Sequence, residues 1–219
     1  MAKGDKSSAF RRYRRRGAIR EPYEVVLVAC EGEKTEPAYF TGLRAAFRLS
    51  SANVKVVPSE YGNDPVSVVR FGEDQLAGPD GYDRVYCVFD RNGHANFDEA
   101  CQRVAESDYG REGRLIAVPS VPCFEFWILL HFEYTAAPYN AAGGRSSCMR
   151  VIDYLKRNHL SDYEKNFGGV FALLAPRYND AVVHAERLER ENSRSNSINP
   201  ATQVHKLVKY LRDLRGRNA

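Results

Sequence analysis

Long apolar runs are missing from this 219-residue chain. No stretch approaches the roughly 18 unbroken apolar residues that a membrane span needs, and no apolar core follows the arginines near the N-terminus. Neither a membrane association nor a signal peptide is expected, and the expected setting is cytoplasmic. Cysteines are few and odd in number: Cys30, Cys87, Cys101, Cys123 and Cys148 are widely spaced and include no CxxC pair. They read as buried free thiols, which argues against a disulfide framework and a structural zinc. A Walker string is absent, so nucleotide hydrolysis is not expected of this chain itself. No internal repeat occurs either. What is present, 43% hydrophobic and 27% charged residues, suits one α/β domain with an appendage.

Charge is plentiful but unevenly placed. The formal net charge is +4, yet residues 1–20 hold eight basic groups against one acid, for +7. The remaining 199 residues carry 24 basic and 27 acidic groups, for −3. Residues 1–21 thus form a basic arm with too few large apolar side chains to offset the entropy of ordering, and they are expected to be mobile when alone. Arg11, Arg12, Arg14, Arg15 and Arg16 are candidates to grip the phosphates of a nucleic acid, each offering a fork of donors. A solubilising tail is the plainer alternative.

From Tyr23 to Cys30 the chain is β-branched and nearly continuously apolar, as a central parallel strand requires. A helix is expected from Thr35, with Thr35 as its cap and Pro37 in its first turn. Strands are expected at Asn53–Pro58, Arg84–Phe89 and Leu115–Val118, and helices from Asp64-Pro65 to Leu76 and from Asn96 to Ser107. This alternation predicts a parallel sheet with helices on both faces over residues 22–120. Residues 121–219 read as a helical extension packed on that core, with helices at Phe124–Phe132, Ser147–Asn158, Asn179–Asn192 and Thr202–Arg215. Flexible loops are expected at Ala141–Gly144 and Ser193–Ser197.

In open parallel sheets, ligands bind beyond the carboxyl ends of the strands, where strand order reverses. Here the first strand runs into Glu31-Gly32-Glu33-Lys34-Thr35-Glu36 and the third into Asp90-Arg91-Asn92-Gly93-His94. If these strands are neighbours, Glu31 and Asp90 lie side by side, with Asn92 and either Glu33 or Glu36 in reach. Clustered carboxylates repel one another, and a hard divalent cation, Mg²⁺ or Mn²⁺, relieves that repulsion. Gly32 and Gly93 are expected to let the backbone turn sharply. For Glu36 and Asp98, capping of the following helix is the expected role, with the metal as the alternative.

The apolar strand ending in Glu31-Gly32 and the later strand ending in Asp90-x-Asn92 resemble the Toprim arrangement, in which a glutamate and a DxD motif gather magnesium for phosphodiester chemistry. The strings CEGEKTEPAYF (Cys30–Phe40), FDRNGH (Phe89–His94), SVPCFEFWILLHF (Ser120–Phe132) and NPATQVHKLV (Asn199–Val208) resemble the RloB-like family. The resemblance implies a Toprim-like α/β fold, a parallel sheet flanked by helices with a C-terminal helical extension. It also implies an antiphage or abortive-infection effector that acts with an ABC-type ATPase encoded nearby. Two departures stand out: Asn92 replaces the second aspartate of DxD, and the spacing from Glu31 to Glu36 is one residue longer than is usual in Toprim proteins.

Glu125 is the one charged residue between Val121 and Leu130, and a carboxylate on so apolar a helix needs a partner. It joins Glu31, Asp90 and His94 as a candidate catalytic group, His94 as a proton donor or holder of water. Lys34 is placed to meet a phosphate. His131, Phe124, Phe126 and Trp127 read as core. A receiver-type phosphoacceptor domain also carries acids after strands one and three, but this chain shows no clear fifth strand ending in lysine. Two functions remain: a metal-dependent nuclease acting on RNA or DNA, and a non-catalytic adaptor that binds nucleic acid or the ATPase.

Overall fold

Parallel pairing around one buried strand organises the molecule. The computed structural model describes residues 24–165 and 169–217, the last three by their backbone alone. The basic arm, with the candidate phosphate-gripping arginines Arg11, Arg12, Arg14, Arg15 and Arg16, lies outside the described residues. Strand β1 (Val26–Cys30) is buried along its whole length. It pairs in parallel with β2 (Val54–Pro58) on one side and β3 (Arg84–Asp90) on the other. β3 pairs in parallel with β4 (Leu115–Val121), and the two-residue β5 (Ala201–Thr202) adds antiparallel to β4. The order is β2-β1-β3-β4-β5, so the chain reverses its direction of travel across the sheet between β1 and β3. That junction is where a ligand crevice is expected in such a sheet.

Parallel neighbours require crossover connections. α1 (Thr35–Ala46), α2 (Pro65–Ala77) and α3 (Phe97–Glu106), the last with the one-turn α4 (Asp108–Arg111), supply them. Side chains alternate along each strand, so Leu27, Ala29, Val85, Cys87 and Phe89 face α2 and α3, forming one core. Val26, Val28, Tyr86 and Val88 face the larger core on the other side. There α1 packs with the helices of the second half: α5 (Phe124–Leu129), α6 (Ser147–Asn158), α7 (Val170–Leu174), α8 (Tyr178–Ser195) and α9 (Val204–Arg217). Phe124, Phe126, Trp127 and His131 are all buried in it, as core residues should be. Burial pushes the His131 imidazole down to about 4, and its Nδ1 lies 3.0 Å from the Trp127 carbonyl oxygen.

The expected α/β class is what the chain adopts, with several local corrections. Asp64 caps α2 as expected, its carboxylate accepting from the Ser67 amide at 3.2 Å ahead of Pro65. Thr35 does not cap α1: it is buried inside the first turn, and its hydroxyl donates to the Lys165 carbonyl. The helix expected to reach Phe132 ends at Leu129. β4 runs past Pro119 to Val121, because β5 covers only Ser120 and Val121. The loop expected at Ser193–Ser197 is instead helical to Ser195. Ser193 and Ser195 donate back to the Glu189 and Glu191 carbonyls, and Asn196 ends the helix with φ 53°. The cysteine reading fails at one pair, since Cys123 and Cys148 form a disulfide with Cα atoms 5.5 Å apart. Folding brings the start of α5 against the start of α6, a proximity that 25 residues of separation conceal. Cys30, Cys87 and Cys101 are free thiols.

Gly72 lies where α2 presses on the sheet. A Cβ there would sit 2.7 Å from Cys87 Sγ and 3.0 Å from Leu115 Cδ1. Gly72→Val is therefore expected to destabilise the fold by about 1–3 kcal/mol through overpacking, despite valine's better helix propensity. Chemical denaturation checks this; an unchanged or raised midpoint would show that α2 has room to move off the sheet.

Candidate metal centre

The ends of β1 and β3 bring the first two acids together. The Glu31 amide donates to the Val88 carbonyl at 2.9 Å, which extends the ladder one residue past β1. This fixes the Glu31 side chain beside Asp90, the last residue of β3, whose amide donates to Glu31 Oε2 at 2.7 Å. Glu31 Oε1 accepts from His94 Nε2 at 2.8 Å. His94 sits on a loop held by Gly93 at φ 85° and by the Asn92 amide, which donates to the Pro122 carbonyl at 2.8 Å.

Two further carboxylates arrive from helices. Glu36, in the first turn of α1, is buried and turned inward, so its side chain joins the acids at the strand ends. Gly32 makes room for it: a Cβ on Gly32 would lie 2.3 Å from Glu36 Oε2. The expected reason for Gly32, a sharp turn, is replaced by this close approach, since its φ is outside the left-handed region. Glu125, at the start of α5, is 1% exposed. Its carboxylate accepts from the Tyr163 hydroxyl at 3.2 Å, and Lys165 Nζ lies 3.4 Å from it. Glu31, Glu36, Asp90, Asn92, His94, Glu125 and Lys165 line one open cavity of about 580 Å³. Glu33 and Lys34 also border it, but both are exposed.

The electrostatics of this arrangement are strained. Burial, reinforced by Glu36, Glu125 and Glu31, lifts the Asp90 carboxyl well above the usual carboxylate range. Burial, followed by the charge of Glu125, raises Glu36 from 4.5 to about 7. Glu31 is raised by burial, against the opposing hydrogen bonds from Asp90 and His94. Asp90 Oδ1 is buried and has no hydrogen-bond partner among the described residues. A buried carboxyl oxygen in a ring of other carboxylates either keeps a proton or takes a hard cation, which accepts several oxygen ligands. The donor set fits such an ion: Glu31, Glu36 and Asp90 offer carboxylates and Asn92 a carbonyl oxygen. Among the described residues, the group of three whose donor atoms all lie within 4.8 Å of one another is a different one, Cys123, Glu125 and Cys148, and there the disulfide commits both sulfurs.

Tyr163 and Lys165 carry no sequence signal. They stand in a polar segment after α6 and reach the cavity only because the helical half folds back over the strand ends. Their link to the first strand's loop is the Thr35 hydroxyl on the Lys165 carbonyl.

The family model described as RloB-like protein matches residues 26–211, a span containing every residue of the cavity. No curated protein and no solved structure matches the chain.

Glu36 gives this centre a pH signature. A carboxyl raised from 4.5 to about 7 on folding contributes stability that is fully present below pH 4.5 and is lost as pH rises through about 7. Metal-free protein in chelator should therefore melt at falling temperature across that window, and Glu36→Gln should flatten the profile. Added Mg²⁺ or Mn²⁺ should restore the melting temperature most at the alkaline end. A wild-type profile in chelator that is flat over the window would contradict the assignment.

Proposed function

The chain belongs to the RloB-like family, and from that premise we propose that it is a metal-dependent nuclease that hydrolyses phosphodiester bonds of RNA or DNA. One observation carries the reading: a buried, unpartnered Asp90 oxygen among four carboxylates, beside an open cavity at the strand-order reversal. Glu31, Glu36, Asp90 and Asn92 would hold Mg²⁺ or Mn²⁺. When bound, that cation supplies Lewis-acid stabilisation of charge on the phosphodiester and a water of lowered pKa.

The chain's own residues supply the rest. His94 commits its Nε2 proton to Glu31, which leaves Nδ1 as the basic nitrogen able to take a proton from a water at the cavity mouth. Glu31 thereby both binds and orients. Lys34, exposed at the rim, meets a phosphate oxygen, and Glu125 accepts from the Tyr163 hydroxyl and pairs with the Lys165 ammonium. In this reading residues 1–21 are the arm that grips the polynucleotide, 22–120 a Toprim-like core, and 121–219 the extension that closes the site. An antiphage role with an ABC-type ATPase partner completes the proposal, on the strength of the family resemblance. Asn92 favours a second reading, a non-catalytic adaptor, because an amide at that position contributes no charge to metal binding.

Labelled DNA and tRNA, incubated in Mg²⁺, Mn²⁺ or EDTA with and without the ATPase, separate the two. Cleavage should require metal and fall by roughly 10²-fold or more in Asp90→Asn, with folding intact. Deleting residues 1–21 should weaken polynucleotide binding and flatten its salt dependence while leaving metal binding unchanged. Absence of metal-dependent cleavage under every condition would leave the adaptor reading.

A further inference from the structure

Among the described residues, Lys165 is a cation that faces the buried carboxylates. Its ammonium is 3.4 Å from Glu125 Oε1 and 3.9 Å from Cys148 Sγ, and it interacts electrostatically with Asp90 and Glu36 as well. The backbone is anchored, because the Lys165 carbonyl accepts the Thr35 hydroxyl. The side chain is less so: it is 53% exposed, and its ammonium stands 3.4 Å from Glu125 Oε1, longer than a close ion pair. A lysine ammonium on a four-carbon stem is a point charge that can swing between partners, unlike the rigid fork of an arginine. Partial burial works against its charge, and Glu125, Asp90 and Glu36 together outweigh that effect and hold it protonated.

We propose that Lys165 is an exchangeable counter-ion: it neutralises the carboxylate cluster when no metal is present, and yields to a divalent cation when one binds, turning to the phosphate of the substrate. The reasoning rests on the metal-centre reading above. An ammonium and a dication beside the same carboxylates repel each other, so the two compete for one field. A half-exposed side chain leaves readily, and the cavity that Lys165 lines is open to solvent. Metal and phosphate should accordingly bind with positive coupling, since each arrival favours the Lys165 position that suits the other.

Mn²⁺ titration and thermal melts of full-length wild type, Lys165→Met and Lys165→Arg test this without relying on cleavage. Lys165→Met should bind Mn²⁺ about 5-fold or more tightly than wild type. It should melt below wild type in chelator at pH 7.5 and level with it when saturated with Mn²⁺, while Lys165→Arg keeps wild-type behaviour in chelator. Inorganic phosphate should tighten Mn²⁺ binding in wild type and do so less in Lys165→Met. Equal or weaker Mn²⁺ binding by Lys165→Met overturns the proposal, as does an equal loss of melting temperature with and without metal, which marks a purely structural lysine. Wild type that takes up no Mn²⁺ overturns both this proposal and the metal centre. Tighter binding by Lys165→Met in a protein that cleaves no nucleic acid supports the exchange and sinks only the nuclease.

Discussion

Keeping four carboxyl groups close together and largely out of water is the constraint around which this molecule is arranged. Glu31, Glu36, Asp90 and Glu125 come from two strand ends and two helix starts, and each is buried. Like charges in a medium less polar than water destabilise one another steeply, and desolvation adds to the penalty. The chain answers with local donors: the Asp90 amide and His94 on Glu31, Tyr163 and Lys165 on Glu125. Protons held on Glu36 and Asp90 above their ordinary range make up part of the remaining deficit. Asp90 Oδ1 is the point at which the internal answers stop.

The fold exists to make that juxtaposition rigid. β1 is buried on both faces, so neither Glu31 nor its neighbour Asp90 can shift without breaking ladder bonds shared by three strands. Backbone bonds from Arg91 to Ser120 and from Asn92 to Pro122 tie the loop after β3 to the β4–α5 corner that presents Glu125. On the far side, α1 comes close enough that Glu36 fills the space a side chain on Gly32 would take. The second half of the chain is then more than a covering layer, because the segment after α6 contributes both the hydroxyl and the ammonium that face Glu125.

What the sequence made legible was whatever depends on short-range pattern. The apolar run at Val26–Cys30, the Asp64-Pro65 start of α2 and the acids directly following β1 and β3 all follow from periodicity, capping and topology, and they led to Glu31, Asp90, Asn92 and His94. Glu125 was visible as a lone charge in an apolar run. The features that were not legible depend on contacts between distant segments. Ala201–Thr202 has no strand-like pattern and pairs only because β4 offers an open edge. Cys123 and Cys148 look like any isolated thiols until α6 folds back. Spacing counted against Glu36 and left Glu33 as the substitute, and the helix decides otherwise: its first turn points Glu36 inward and leaves Glu33 exposed. Lys165, one of 32 lysines and arginines, had nothing to mark it.

The uneven charge of the chain gains a meaning from this geometry. A body carrying a formal −3, with several of its acids at one cavity, offers a polyanion little attraction, and residues 1–20, carrying +7, are where attraction can come from. The edge itself must also lose negative charge before a phosphate can enter it. Asn92 is best understood in that light. A carboxylate there would add a fifth charge to a cluster that already leaves one Asp90 oxygen without a partner, and a single lysine ammonium would be less able to balance it. With an amide instead, the cluster stands closer to neutrality in the absence of metal, at the cost of weaker attraction for the cation. An amide at that position therefore makes the metal-free state easier to maintain, because it leaves Lys165 less negative charge to balance.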